Sequence, residues 1–482
     1  MNILISNKIK VNGVDATFRK FVRQNYSIPN PEYIKRVQLN KWLGGTPKEL
    51  KLYEECGDTI ILPYGCLQGV YTLLLHAYDL STIRIASDLN TNARADWEGN
   101  TIIPRDYQQV AVNQMVFYKY GVLKAPCSSG KTVMGHLIAQ KVGMKTLWLT
   151  NKKELLEQSK AVGELILGKG NRVGTITDGK VNIGTTITYA TVQTMAMLDP
   201  KTYKREFNCV IVDEVHNCVG SEDTYRQFSH VLNNIAAEYK YGLSATPETK
   251  NGYGKMVFAN VGDIKHEIPS SVLQENGTIM PVDIVPVSTG WEYPKSSYKA
   301  NGVVDFDKAV SLMRCDKERN SLIAELIGDK PTLVLSNNID HLCYIANSLS
   351  PEQASKTCLV STKHDEDVLQ ADIYCKHTDK ARASYMEGLR NGELDIMLAT
   401  YQLAKEGLNI PRLEQVILAF PAVDENIITQ SVGRVARTCE GKDRAVCYDL
   451  VDSPGYFQKH WRDRKRLYKK NNNQISGFFE RG

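Results

Sequence analysis

The chain has 482 residues, of which 42% are hydrophobic and 23% charged, with a net charge of +5. That length exceeds one core and predicts about three domains, and no long stretch is biased enough to be disordered. Eleven cysteines, none in a Cys-x-x-Cys pair or in a Cys/His cluster of zinc spacing, exclude a disulfide framework and fit reduced thiols in the cytoplasm. The N-terminal "MNILISNKIKVNG" holds too short an apolar run for a signal peptide, and no run reaches the ~18 residues of a membrane span. The expectation is a soluble cytoplasmic protein with no membrane partner.

Residues 1–98 mix short strands with helical patterns. "NILISNKIKVNG" reads as a strand, and "DATFRKFVRQNY" as a helix with Phe18, Phe21 and Val22 on one side and Arg19, Lys20 and Arg23 around it. "GDTIILPYGCLQGVYTLLL" reads as a strand, a turn, then a helix or strand. The polar "DLNTNARADWEGN" (88–100) marks a boundary near 98.

Beyond residue 100 short apolar runs alternate with helical patterns. "GVLKA" precedes a helix from Lys131, and "KTLWLT" precedes "NKKELLEQSKAVGELI"; "VNIGTTITYA", "NCVIVD" and "KYGLSA" follow as strands. Such alternation predicts a parallel sheet with helices on both faces. The theme repeats from "PTLVLS" and the helical "NIDHLCYIANSL" through "KTCLVS", "LDIMLAT", "QVILAF" and "AVCYDLV". The predicted class is therefore α/β, with two tandem parallel-sheet domains and a small α+β N-terminal domain. The expected divisions are 1–98, 99–280, 281–452 and a basic tail at 453–482. In that tail "KHWRDRKRLYKK" sets seven Lys/Arg against one Asp, interleaved with Trp461 and Tyr468. It suits nucleic acid, and equally a terminal helix packing Trp461 and Leu467 on the second domain.

Chemistry enters at "APCSSGKT" (125–132). Small residues here, Ser128, Ser129 and Gly130, let backbone N–H groups turn around phosphate oxygens at a helix N-terminus. Lys131 would reach the outer phosphates of ATP, and the Thr132 hydroxyl would ligate Mg²⁺. Ala125 stands where the strict pattern has glycine. In "CVIVDEVHN" (209–217) an apolar strand ends on two carboxylates, where a parallel sheet binds ligands. Asp213 would hold Mg²⁺ and Glu214 would polarise the attacking water.

Phosphate loop, D-E-x-H, "SAT" (244–246) and "QSVGRVAR" (430–437), in that order, resemble the motifs of superfamily 2 helicases and translocases. The resemblance covers about 100–452 and implies two RecA-like domains. "RDYQQVAV" (105–112) is similar to the entry motif in which Arg105 and Gln108 frame the adenine. "LTNKKELLEQ" (149–158) and "YATVQTM" (189–195) resemble strand-contact motifs. "LATYQLAKEGLNIP" (398–411) resembles motif V, with Gly407 a nucleotide-binding position and Asn409 where many members have Asp. The entry motif and the Q-x-x-G-R-x-x-R ending resemble the XPB and phage UvsW branch, as does "NPEYIKRVQLNKWLGGTPKELKLYE" near the N-terminus. That branch implies forked or branched DNA as partner, with other replication or recombination proteins.

The roles then divide between the two domains. The first supplies Lys131, Thr132, Asp213 and Glu214. Arg434 and Arg437 of the second share a helix face at i, i+3 and are the arginine-finger candidates, with Gln430 sensing the γ-phosphate or water. Ser244 and Thr246 are expected to couple the sites. Lys152, Lys153, Thr191, Gln193 and Thr400 are the DNA-backbone candidates carried by the resemblance. Three other readings compete: the motor subunit of a restriction or nuclease assembly, an RNA helicase, and a nucleotide-dependent switch.

Overall fold

The computed structural model describes residues 1–91, 93–100, 102–248, 253–361, 368–376, 378–405, 408 and 410–479. The chain divides into two compact units, Met1–Pro126 with Gly130–Pro269 and Ser270–Gly482 with Cys127–Ser129; the boundary after Pro269 falls eleven residues before the one expected at 280.

The first unit opens with a hairpin. The single strand expected over "NILISNKIKVNG" is two, Asn2–Ile5 and Lys8–Asn12, paired antiparallel with Ile3 opposite Val11. Alternation explains it: Ile3, Ile5, Ile9 and Val11 are buried, and a turn at Ser6 and Asn7 brings both apolar faces to one side. Strands Glu54–Cys56, Thr59–Pro63 and Arg84–Ser87 complete this sheet. Helix Ala16–Tyr26 starts on Asp15, whose carboxylate accepts the Phe18 N–H, and buries Phe18 and Val22.

The 88–100 segment is not an open linker. Asn90 bridges Ala237, Arg94 bridges Met144, and buried Trp97 donates its indole N–H to the Met144 carbonyl at 3.0 Å. Its composition is polar, yet its backbone and one large aromatic ring are committed to the α/β sheet. Packing is also close at Gly65, where a Cβ would lie 2.3 Å from the Phe258 carbonyl and 2.4 Å from the Gly262 nitrogen. One core accordingly runs from Ile9 and Phe18 to Val210, Val212 and Met256.

Among the described residues the α/β sheet of this unit has eight strands. Their order is Lys180–Asn182, Val173–Thr177, Ile187–Thr191, Thr146–Thr150, Cys209–Val212, Tyr239–Ser244, Tyr120–Lys124 and Ile264–Glu267. All neighbours but the first pair run parallel. The central strands are buried at every position, as a sheet covered on both faces requires. The run "VNIGTTITYA" is again two strands, broken where Gly184 packs on Gly174 so closely that a Cβ would meet its nitrogen at 2.4 Å.

Among the described residues the second unit is built on seven strands in the order Thr357–Val360, Ile396–Thr400, Thr332–Ser336, Gln415–Leu418, Ala445–Val451, Val282–Ser288 and Gln474–Ile475, all parallel. Leu322, Ile323, Val334, Leu342, Leu398 and Ile417 lie at the centre of its core. The expected tail is part of this body. Helix Gly455–Lys470 buries Phe457, Trp461, Arg464 and Tyr468 along one face, and Gln474–Ile475 joins the sheet. No helix among the described residues is long and apolar enough to cross a membrane.

Candidate active site

Parallel topology decides where the chemistry gathers. The phosphate loop follows Tyr120–Lys124, "DEVH" follows Cys209–Val212, and "SAT" closes Tyr239–Ser244. These three are adjacent strands, so the loops converge at their carboxyl ends. Ala125 is fully buried and its N–H is held by the Ser244 carbonyl at 3.0 Å, which explains why a small residue other than glycine serves there. Ser128 and Gly130 are left-handed, with φ of 68° and 79°. Gly130 is needed twice over: for that backbone, and because a Cβ would lie 2.5 Å from Gln108 Nε2. Helix Lys131–Val142 then begins, its first N–H groups at the loop.

The charged groups form one network. Lys131 Nζ lies 3.4 Å from the carbonyls of Ala125 and Pro126 and 3.4 Å from Glu214 Oε1. Asp213 accepts hydrogen bonds from Thr132 Oγ1 and Ser159 Oγ, both at 3.3 Å, and from the Glu214 N–H at 3.0 Å. Burial, with the Glu214 charge adding to it, raises the Asp213 carboxyl to about 6 against the opposing pull of Lys131. Glu214 itself is left-handed at φ 45°, a costly backbone for a residue with a side chain. His216 Nδ1 lies 3.4 Å from Glu214 Oε2 and 2.8 Å from Ser244 Oγ, and Ser244 Oγ accepts the Thr246 N–H at 3.0 Å. Lys131, Glu214, His216, Ser244 and Thr246 are thus linked in sequence.

The other expected residues fall in two sets. In the first unit the Arg105 N–H donates to Gln108 Oε1 at 3.0 Å, and Arg105 Nη1 donates to the Tyr107 hydroxyl at 3.2 Å. Lys152 and Lys153 begin the helix after Thr146–Thr150, and Lys153 pairs with Asp178. Thr191 caps the turn after the neighbouring strand by accepting the Thr194 N–H. Gln193 Nε2 donates to Asn151 Oδ1 at 2.6 Å, joining the two strand-contact motifs. In the second unit Thr400 ends Ile396–Thr400 and accepts the Leu403 N–H at 3.4 Å. Gln430 and Arg434 lie on helix Glu425–Val435, with Arg437 just beyond it; Arg434 Nη1 donates to the Leu408 carbonyl at 2.9 Å. Gly407 lies outside the described residues.

Three side chains that the site uses were not singled out in the sequence. His216 is the last letter of "DEVH" and bridges Glu214 to Ser244. Ser159 steadies Asp213 from the middle of a helix, with no local signal. His136 Nδ1 donates to the Thr132 carbonyl and Nε2 accepts from the Tyr189 hydroxyl, each at 2.7 Å. Full burial lowers it to about 4, so it is neutral and holds the turn that carries Thr132.

Comparison with known proteins agrees with this geometry. The family model for the res subunit of type III restriction enzymes matches residues 101–249, and that for the helicase conserved C-terminal domain matches 318–439. Together they cover more than half the chain. A protein of Escherichia phage T5 named as a helicase is 26% identical over 349 residues, 71% of this chain and 70% of that one. A protein of Acanthamoeba polyphaga mimivirus named as an ATP-dependent RNA helicase is 26% identical over 381 residues, 74% of this chain and 65% of that one. The ATP-dependent DNA helicase uvsW of Enterobacteria phage T4 is 24% identical over 392 residues, 77% of this chain and 73% of that one. In fold, an HsdR-subunit fragment of a type I restriction enzyme from Vibrio vulnificus superposes with a TM-score of 0.58 at 17% identity, over 80% of this chain and 70% of that one. The chain is a superfamily 2 helicase, an ATP-hydrolysing enzyme with two RecA-like domains. Within that class its sequence is similar to the XPB and UvsW helicases, at 24% identity to each.

Proposed function

We propose that this protein is an ATP-dependent DNA helicase or translocase that remodels forked and branched DNA in replication, recombination or repair. The observation that carries the reading is the linked series from Lys131 through Glu214 and His216 to Ser244. It joins the catalytic carboxylate to the strand end bearing the coupling motif.

The residues present fit ATP and Mg²⁺. A helix N-terminus, the left-handed turn at Ser128 and Gly130, and Lys131 make an anion cradle. Thr132 and Asp213 place a hydroxyl and a carboxylate 3.3 Å apart, a hard-oxygen pair suited to magnesium. Magnesium would neutralise charge on the outer phosphates. Glu214 would orient the attacking water and accept its proton, held at its strained backbone by Lys131 and His216. Arg105 and Gln108 would face the adenine, and Gln108 also fixes Gly130. The resemblance also assigns Gln430, Arg434, Arg437 and Gly407 to ATP chemistry, the arginines to stabilising transferred charge, a role worth ~10³–10⁵-fold in related enzymes.

Lys152, Lys153, Thr191, Gln193 and Thr400 would grip the DNA backbone, which carries no sequence information and so suits a motor. The place of work would be the cytoplasm, that of the bacterial host if a phage encodes the protein. Support for DNA comes from the likeness to the T4 DNA helicase. The test is phosphate release from ATP with and without single-stranded DNA, duplex DNA and RNA. Stimulation by DNA is expected, and stimulation by RNA alone would refute the choice of DNA. A second reading, the motor of a restriction assembly, is favoured by the match to the res-subunit family; co-purification with a nuclease would support it.

A further inference from the structure

One feature of the first unit is used by neither its core nor its ATP site. Residues 30–48 leave the N-terminal sheet as an arm. Its base is fixed: Ser27–Pro29 pairs antiparallel with Glu49–Lys51, and buried Asn30 donates to the Pro47 carbonyl at 2.9 Å while its N–H reaches the Lys48 carbonyl at 2.9 Å. Asn30 also caps helix Pro31–Gln38, which buries none of its residues. Past that helix the chain turns, and Arg36 Nη1 donates to the Trp42 carbonyl at 3.3 Å. Gly44, at φ 52°, leaves room for the indole; a Cβ there would lie 2.9 Å from the ring. Trp42 is thereby held by its own turn and is 86% exposed, and Ile34, Val37 and Leu39 of the same arm are exposed as well. The other four tryptophans are at most 6% exposed.

Charge says what such a face meets. Residues 16–51 carry eight Lys or Arg against two Glu, a net +6 that exceeds the +5 of the whole chain. Arg19 and Arg23 share Glu55, and Arg36 pairs with Glu32. Lys35, Lys41, Lys48 and Lys51 are exposed and make no ion pair among the described residues. Apolar side chains and cations alternate along "IKRVQLNKW" (34–42). A polyanion with flat apolar faces satisfies both halves of that pattern at once: phosphates for the lysines, an unpaired base for the indole. Apolar side chains between base steps are also how proteins part a stack.

We propose that the 30–48 arm is a nucleic-acid site in which Trp42 stacks on an unpaired base, with Lys35 and Lys41 on the flanking phosphates. It rests on the reading of the chain as a nucleic-acid motor and names the element that meets the point where strands separate. On helix Ala16–Tyr26 Arg19 and Arg23 are spent on Glu55, whereas the arm keeps its lysines for a ligand.

Because Trp42 is the one widely exposed tryptophan, intrinsic fluorescence reads it directly in the full chain. Forked DNA with unpaired arms is expected to quench the red-shifted emission and protect it from acrylamide. Trp42→Ala should remove that signal and weaken fork binding roughly ten-fold, with the thermal unfolding temperature unchanged; Trp42→Phe should restore most of the affinity. Lys35→Glu with Lys41→Glu should weaken binding and flatten its salt dependence. If neither DNA nor RNA oligonucleotides quench Trp42, or if Trp42→Ala binds forks as the parent does, the proposal is wrong and the face serves a protein. Quenching by RNA oligonucleotides alone would support the stacking site while refuting DNA as the motor's substrate.

Discussion

Both α/β sheets carry buried carboxylates in or just after an inner strand, and they treat them in opposite ways. In the first unit Asp213 meets two hydroxyls and an amide, with a second carboxylate, Glu214, beside it. In the second unit Asp449 accepts from Arg464 Nε at 2.8 Å and from the Tyr468 hydroxyl at 2.7 Å. Asp452 accepts from Arg319 at 2.8 and 3.2 Å and from Thr289 at 2.7 Å. A buried carboxylate matched by a guanidinium belongs to the scaffold. One ringed by hydroxyls and crowded by another carboxylate is held at a cost that stability alone does not explain, and such sites are where chemistry is done.

The sharpest way to break this contrast is at the phosphate loop. Lys131→Ala is expected to lower ATP turnover by about 1000-fold or more. Glu214→Gln should do the same while nucleotide binding persists, read by phosphate release beside fluorescent-nucleotide titration. Asp213→Asn should abolish turnover yet leave the unfolding temperature equal or higher, because it removes a buried charge.

Next in size is the opposite outcome in the second unit. Arg464→Met would strand Asp449 and cost about 3–5 kcal/mol, read as a lower denaturation midpoint. Asp449→Leu with Arg464→Leu should recover most of that loss. Were Asp213→Asn and Asp449→Asn to shift stability alike, the contrast would be false.

A further contrast is a pH dependence in the first unit. Burial lowers the Lys240 ammonium from 10.5 to about 7; it donates to the Leu232 carbonyl at 3.0 Å and sits 4.7 Å from the Tyr64 ring. Between those values the unfolded chain holds a proton that the folded chain lacks, so stability rises with pH from about 7 to 10.5. It falls as pH drops toward 7. Lys240→Met should flatten that slope in thermal melts.

Much of this was legible in the sequence for physical reasons. The strands of both α/β sheets are continuous apolar runs because both faces are covered, and the site motifs lie where such strands end. The hairpin at 2–12 and the break before Ile187 were not, since turns at Ser6-Asn7 and Gly184 interrupt apolar patterns that look unbroken. For the basic tail the sequence left nucleic-acid binding and packing of Trp461 and Leu467 on the second domain equal, because a guanidinium buried on Asp449 cannot be told from an exposed one by composition. Ser159 and His136 lie inside helices, where only the third dimension brings them to Asp213 and Thr132. Trp42 was visible as a letter, but its exposure depends on Gly44 and on a helix with no buried side.

The central claim is that ATP turnover at this site drives work on branched DNA. Strand separation by the full chain with ATP, compared on a linear duplex, a fork and a four-way junction, with Glu214→Gln as the inactive control, tests it most directly. The account predicts faster unwinding of the fork and the junction than of the linear duplex, and none by the control. Equal rates on all three substrates would contradict it.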